Sequence, residues 1–214
     1  MGHKFGEITF TDAVKSVQLA MGSRAAYARR EGGPDVNHRL GPEEDSFIAE
    51  RDSFYIASVS ETNWPYVQFR GGPPGFLRVL DECMLGYADF HGNRQYITTG
   101  NIIGNDRVSL FLMDYPQRQR LKILGRMTVM DAKDNPDLVA QLVIPDYRAR
   151  VERAVLISVK AFDWNCSQHI TPRFTQTEFI EALAPIRQEV TALRVENDRL
   201  RRLLDTDGHE RTGP

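Results

Sequence analysis

The stretch FYIASVSETNWPYVQFRGGPPGFLRVLDECMLGYADF, residues 54–90, decides the fold. Short runs rich in β-branched and aromatic residues, at 54–60, 65–70, 76–81 and 84–89, are separated by turn signals such as GGPPG. The pattern continues at 107–113, 119–130 and 153–162. Most connections are too short for parallel crossovers, so the expected sheet is antiparallel. Six or more such strands in about 110 residues predict a closed or nearly closed barrel, which removes exposed edges.

Helical signals lie on either side. Thr11 as N-cap, followed by Val14, Val17 and Met21, predicts an amphipathic helix ending near Gly22. The segment REGGPDVNHRLG, 30–41, is turn-rich. Pro42-Glu43-Glu44 then opens a second helix carrying Phe47 and Ile48. Asn135-Pro136-Asp137 starts a helix over 136–143 that Pro145 stops. Ile186, Val190, Leu193, Asn197, Leu200 and Leu204 alternate spacings of four and three. That is the rhythm of a coiled coil, with Asn197 placed to favour two strands. A helix docked on its own domain would show the same pattern. RFTQTEFIEALAP, 173–185, is mixed in charge and broken by Pro185, so no basic helix precedes the heptads and a zipper-type DNA reader is excluded.

The 214 residues suit one ordinary domain plus an appendage, and a formal net charge of −2 argues against gripping nucleic acid. Two cysteines, Cys83 and Cys166, make no disulfide framework. No apolar run reaches the roughly 18 residues of a membrane span, and no signal-peptide core opens the chain. The expected location is the cytoplasm, with neither membrane nor nucleic acid as partner.

Three segments carry chemistry. In WPYVQFRGGPPGF, 64–76, Tyr66, Gln68 and Arg70 alternate with Val67 and Phe69, so the polar set shares one strand face and runs into a glycine-rich backbone that a flat ring could approach. In DFHGNRQYITTGN, 89–101, Arg94 and Gln95 follow a turn, and Thr98, Thr99 and Asn101 enter a helical turn, a suitable phosphate site. In QRQRLKILGR, 117–126, Arg118, Arg120 and Lys122 alternate on one face, where like charges repel unless an anion or facing acids relieve them. Each also has a plainer reading: a rigid turn, a helix cap, a guarded edge strand. The nucleotide P-loop, dinucleotide, zinc-protease and serine-hydrolase motifs are absent, Cys166 and His169 lack further ligands at zinc spacing, and no metal is assigned.

In order and spacing these segments, followed by DWNCSQHI at 163–170, resemble the pyridoxamine 5'-phosphate oxidase-like family of flavin-binding split barrels. The resemblance covers roughly 54–174 and is especially to uncharacterised bacterial members with RGGPPGF, GNRQY and NCPQHI motifs. It implies a mainly β fold with flanking helices: a six-stranded antiparallel split β-barrel of FMN-binding type, plus a C-terminal helix. The implied division is 1–53 for N-terminal helices, 54–175 for the barrel, 176–205 for the zipper-like helix and 206–214 for a disordered tail. It further implies a homodimer in which both subunits build each FMN site. By position, Tyr66, Val67, Gln68, Phe69 and Arg70 would supply the strand beneath the flavin ring. Arg94, Gln95, Thr98, Thr99 and Asn101 would grip the phosphate and ribityl chain, with either Thr98 or Arg94 at the family's basic position. Arg118 and Arg120, with Lys122 a weaker candidate, would reach the cofactor from the partner, and Gln168 would lie near it.

No side chain is marked as a required acid or base, so the catalytic residues are left unassigned. The Arg-Leu-His-type motif with which vitamin-specific members hold substrate phosphate is replaced by HITPRFTQTEF, 169–179, which leaves the small-molecule substrate open. The implied function is an FMN-dependent oxidoreductase; the alternative is a non-catalytic carrier or sensor of flavin, deazaflavin or haem.

Overall fold

The structure is a computed structural model that describes residues 2–31, 35–164 and 168–210. It divides after Ile170 into two units, each described by itself. The first begins with β1 (Gly2–His3), α1 (Lys4–Thr9), α2 (Asp12–Ala20), α3 (Arg24–Glu31), β2 (Asp35–Val36) and α4 (Pro42–Ala49). The sheet strands follow: β3 (Ser53–Val59), β4 (Pro65–Gly71), β5 (Arg78–Asp81) and β6 (Met84–Phe90). After α5 (Ile97–Gly104) come β7 (Arg107–Asp114), β8 (Gln119–Asp131), α6 (Pro136–Leu142) and β9 (Val151–Trp164).

Strands β3 to β9 form one antiparallel sheet in the order β4-β3-β7-β8-β9-β6-β5. It has seven strands, one more than the expected six. The strands alternate because side chains on successive residues point to opposite faces. Phe54 and Ile56 of β3, Leu110 and Leu112 of β7, Leu121 and Ile123 of β8, and Leu85 and Tyr87 of β6 all point inward and are buried. Burying each such side chain contributes about 1.5–3 kcal/mol.

The edge strands β4 and β5 do not pair with each other. The sheet nevertheless curls until β4 meets β6, where Arg70 Nη1 donates to Asp89 Oδ1 at 2.6 Å. Phe54 stacks on Phe76 at 5.6 Å and meets Tyr87 edge-on at 5.5 Å inside the curl. The result is a split barrel, closed on that side by side chains rather than by a ladder.

The long strands β8 and β9 bend at a bulge. The register shifts between Leu124↔Ala161 and Gly125↔Val159, leaving Lys160 as the extra residue. The backbones are so close there that a Cβ on residue 125 would lie 2.6 Å from Ile157 Cγ2. On the opposite face α6 covers a smaller cluster of Ala88, Leu142 and Ala154.

Of the N-terminal helices, α4 is anchored: Phe47 and Ile48 enter the core, and Glu44 accepts from Trp164 Nε1 at 2.8 Å and from the Gly41 amide at 2.9 Å. Thr11 caps α2 as expected, accepting from the Val14 amide at 3.4 Å. Val14, Val17 and Leu19 of α2 and its C-cap Met21 remain exposed. Helix α3 lies between the Gly22 turn and the turn-rich segment and was not anticipated.

The second unit contains α7 (Gln176–Glu210), which continues through Pro185. Pro185 therefore does not break it, and residues 206–210 are helical where a disordered tail was expected. Among the described residues no helix is long and apolar enough to cross a membrane.

Candidate functional site

The alternation of β4 turns Tyr66, Gln68 and Arg70 toward the barrel and leaves Val67 and Phe69 exposed. Gln68 pairs with Ile56 and Arg70 with Phe54, so both polar side chains share the face of core residues. On β6, Tyr87 and Asp89 face the same interior. Between β4 and β6 opens a cavity of about 400 Å³.

At its floor Asp89, 2 % exposed, is gripped from two sides. Arg70 donates to Oδ1, while Arg153, its cross-strand neighbour on β9, donates to Oδ2 through Nε at 2.9 Å and Nη2 at 2.7 Å. Burial works against the Arg153 charge, but the Asp89 carboxylate outweighs it and holds the guanidinium above its ordinary pKa. One carboxylate thus orients two arginines at the cavity floor.

The rim is the 91–96 loop. Arg94 and Tyr96 both adopt left-handed backbone conformations, with φ of 60° and 53°. For residues carrying a Cβ this costs of order 1–3 kcal/mol each. Side-chain contacts hold the loop there. Arg94 Nε donates to Tyr96 Oη at 2.9 Å, Tyr96 Oη donates to Glu152 at 3.2 Å, and Arg153 sits 4.6 Å over the Tyr96 ring. His91 Nδ1 lies 2.6 Å from Glu152 Oε1, and this hydrogen bond, with that from Tyr96, keeps the Glu152 carboxyl below its usual range. The loop delivers Arg94 and the start of α5 to the cavity, where Thr98 Oγ1 donates to Gln68 Oε1 at 2.8 Å and Thr99 lines the wall.

Three arginines face two carboxylates in this lining, an excess of one positive charge. Phe76, Tyr87, Phe90, Tyr96 and Tyr147 add aromatic wall. Two polar atoms here are sealed from solvent and lack a hydrogen-bond partner among the described residues: Arg70 Nε and Tyr87 Oη. Burial pushes the Tyr87 phenol far above its ordinary pKa, so it stays protonated and able to donate.

Of the residues singled out in the sequence, Gln68, Phe69, Arg70, Arg94 and Thr99 line the cavity, and Thr98 stands behind Gln68. Tyr66 and Val67 share the strand but not the lining. Gln95 is exposed, its amide donating to Asn93 Oδ1. Asn101 is committed elsewhere, donating from Nδ2 to Ser58 Oγ at 2.9 Å. Arg118 is not on the strand: it occupies the β7–β8 turn with φ 54°. Arg120 and Lys122 lie on the outer face of β8, away from this lining. Lys122 is relieved by a facing acid, Asp163 at 2.5 Å, and packs 4.8 Å over the Phe5 ring. Arg120 sits 5.6 Å from the Phe111 ring centroid with its Nε buried and without a partner among the described residues. Gln168 is exposed in a turn, and Cys166 lies outside the described residues. Sequence reasoning missed Asp89, Arg153, Glu152, Tyr96 and Tyr87. The available signal was charge inside otherwise apolar strands, in GYADF and VERAVLISV.

The sequence profile of the family described as pyridoxamine 5'-phosphate oxidase matches residues 40–165. No curated protein matches the chain. Several solved structures are similar. A Lactobacillus delbrueckii protein provisionally named a pyridoxamine 5'-phosphate oxidase is 19% identical over 59% of this chain and 94% of its own, with a TM-score of 0.46. An FMN-binding protein of Syntrophomonas wolfei is 8% identical over 72% of this chain and 96% of its own, with a TM-score of 0.45. HupZ of Group A Streptococcus is 14% identical over 63% of this chain and 99% of its own, with a TM-score of 0.45. Because the profile takes in more than half of the sequence, from α4 to the end of β9 and so through both walls of the cavity, the chain belongs to the pyridoxamine 5'-phosphate oxidase family.

Proposed function

We propose that the protein is a cytoplasmic FMN-dependent oxidoreductase acting on a small molecule, and that it works as a homodimer with shared flavin sites. The observation that carries this reading is the arginine-bearing, aromatic-walled cavity of about 400 Å³ between β4 and β6, in which three arginines face two carboxylates. The volume falls within the roughly 300–1,000 Å³ of small-molecule sites. Aromatic walls suit a flat ring, and the excess positive charge suits a phosphate.

In this reading Gln68 and Arg70 hold the polar edge of the ring. Arg94 and Thr99 hold the phosphate, because Thr98 is engaged with Gln68 and Arg94 lies in the lining. Asp89 orients Arg70 and Arg153 without touching the ligand. The bound flavin would supply the hydride or electron transfer; the side chains bind, orient and exclude water. What supports a shared site is the exposed apolar outer face of the sheet beside the cavity, with Tyr55, Val67 and Phe69 at 40–60 % exposure.

The purified protein should be yellow or should retain added FMN, and Arg70→Ala should weaken FMN binding at least roughly tenfold in a fluorescence titration. A colourless protein that fails to retain FMN overturns the proposal. Reduction by a nicotinamide nucleotide with reoxidation by a substrate supports an enzyme; binding without turnover against any acceptor makes it a carrier.

A further inference from the structure

Helix α7 carries a longer apolar seam than its C-terminal heptads alone. Because the helix passes through Pro185 unbroken, Phe179 and Leu183 join Ile186, Val190, Leu193, Asn197 and Leu200 on one 3-4 repeat. Written as heptads, Leu183, Val190 and Asn197 occupy a, and Phe179, Ile186, Leu193 and Leu200 occupy d. Pro185 falls at c, off the seam. Phe179, Ile186, Val190, Leu193 and Leu200 are each 41–61% exposed. A shallow hollow lined by Val190, Leu193, Arg194, Asn197 and Arg201 runs along this stripe.

The charges beside the seam say what covers it. Every e position from 187 to 201 is arginine: Arg187, Arg194 and Arg201. The g positions Glu189 and Glu196 are acidic. In a parallel, in-register pair each g residue meets the e residue five positions on in the other helix. Glu189 then meets the second copy's Arg194, and Glu196 the second copy's Arg201, with the symmetric pairs on the other side. An antiparallel pair would set e against e and g against g, arginine on arginine and glutamate on glutamate. Val190 at a with leucine at d favours two strands, and Asn197 at a fixes register by finding its own copy opposite. The intrahelical Glu196–Arg199 contact, at 3.4 Å and well exposed, is weak enough not to compete.

We infer that α7 is a parallel, in-register two-stranded zipper whose partner is a second copy of this chain. The seam is self-complementary in both apolar register and charge. This stands independently of the flavin site.

The test uses the full chain with Cys83 and Cys166 replaced by serine. Single cysteines are then introduced at d, as Ile186→Cys or Leu193→Cys, or at the outward f position as Gln188→Cys. Both d variants should form interchain disulfides under mild oxidation, and Gln188→Cys should not. Two positions are needed because an antiparallel pair brings at most one of them onto its own copy. In the Leu193→Cys background, the double changes E189R/E196R and R194E/R201E should each lower the cross-linked fraction roughly tenfold or more, and co-expression should restore it as a mixed dimer. No cross-link at the d positions, a cross-link at only one of them, equal cross-linking at 188, or charge variants that pair as well as the parent would each overturn the inference. A failed zipper leaves the visible spectrum and FMN titration unaltered, so the two proposals fail separately.

Discussion

At the scale of single residues the cavity is built around Asp89. Replacing it with asparagine leaves Arg70 without its carboxylate and Arg153 with only Glu152, 3.2 Å from its Nη2, in a setting where Asp89 is 2 % and the arginines 18 % exposed. Removing one member of a buried ion pair costs about 3–5 kcal/mol, and Asp89→Asn should lower the urea midpoint by that order. Tyr87→Phe should act oppositely. It deletes a sealed, unpartnered hydroxyl, so the protein should gain about 1 kcal/mol in denaturant unfolding. Loss of stability would show that the hydroxyl has a partner within the chain. Glu152 sets a pH dependence. Its folded pKa lies below the ordinary glutamate value, so the tie from β9 to the 91–96 loop is fully present above that value and is lost as pH falls through the lowered one. Acidification should loosen the loop, seen as faster amide exchange at Tyr96, and Glu152→Gln should abolish that transition.

At the scale of elements, the strands were legible because alternation of β-branched and aromatic residues is a local signal, and the observed β3, β4, β7 and β8 nearly coincide with the runs read from sequence. The polar face of β4 was legible for the same reason. Helix α3 was not: Gly32, Gly33 and Pro34 dominate the reading of that region. The fate of Arg118, Arg120 and Lys122 was hidden because the acid that relieves Lys122 comes from β9, 41 residues on in the chain. Arg153 reaches Asp89 across 64 positions, and no local pattern encodes such pairing. The bulge gives an element-level prediction. Gly125→Ala places a methyl 2.6 Å from Ile157 Cγ2 and 3.0 Å from the Ser158 carbonyl oxygen, so β8 and β9 must part. A loss of roughly 1–3 kcal/mol is expected in denaturant unfolding.

At the scale of the whole molecule, ladder partners share a face, so Phe69, Tyr55, Phe111 and Lys122 form one outward row across β4, β3, β7 and β8. Tyr55, Val67 and Phe69 on this face are exposed, and Tyr55 meets Phe69 edge-on at 5.6 Å. A second copy seated on this face would account for the exposed apolar surface. Phe69→Asp should therefore shift the barrel's self-association toward monomer in sedimentation and weaken FMN retention with it. Unchanged mass and retention would remove the shared site from the proposal. The seam of the barrel has a mechanical consequence. A backbone ladder fixes neighbouring strands about 4.8 Å apart, whereas β4 and β6 are joined through the Arg70–Asp89 ion pair. The gap that forms the cavity can widen by stretching a salt link instead of breaking sheet hydrogen bonds. That gives this one wall a compliance the rest of the barrel lacks, so guests of different thickness can be admitted without remaking the fold.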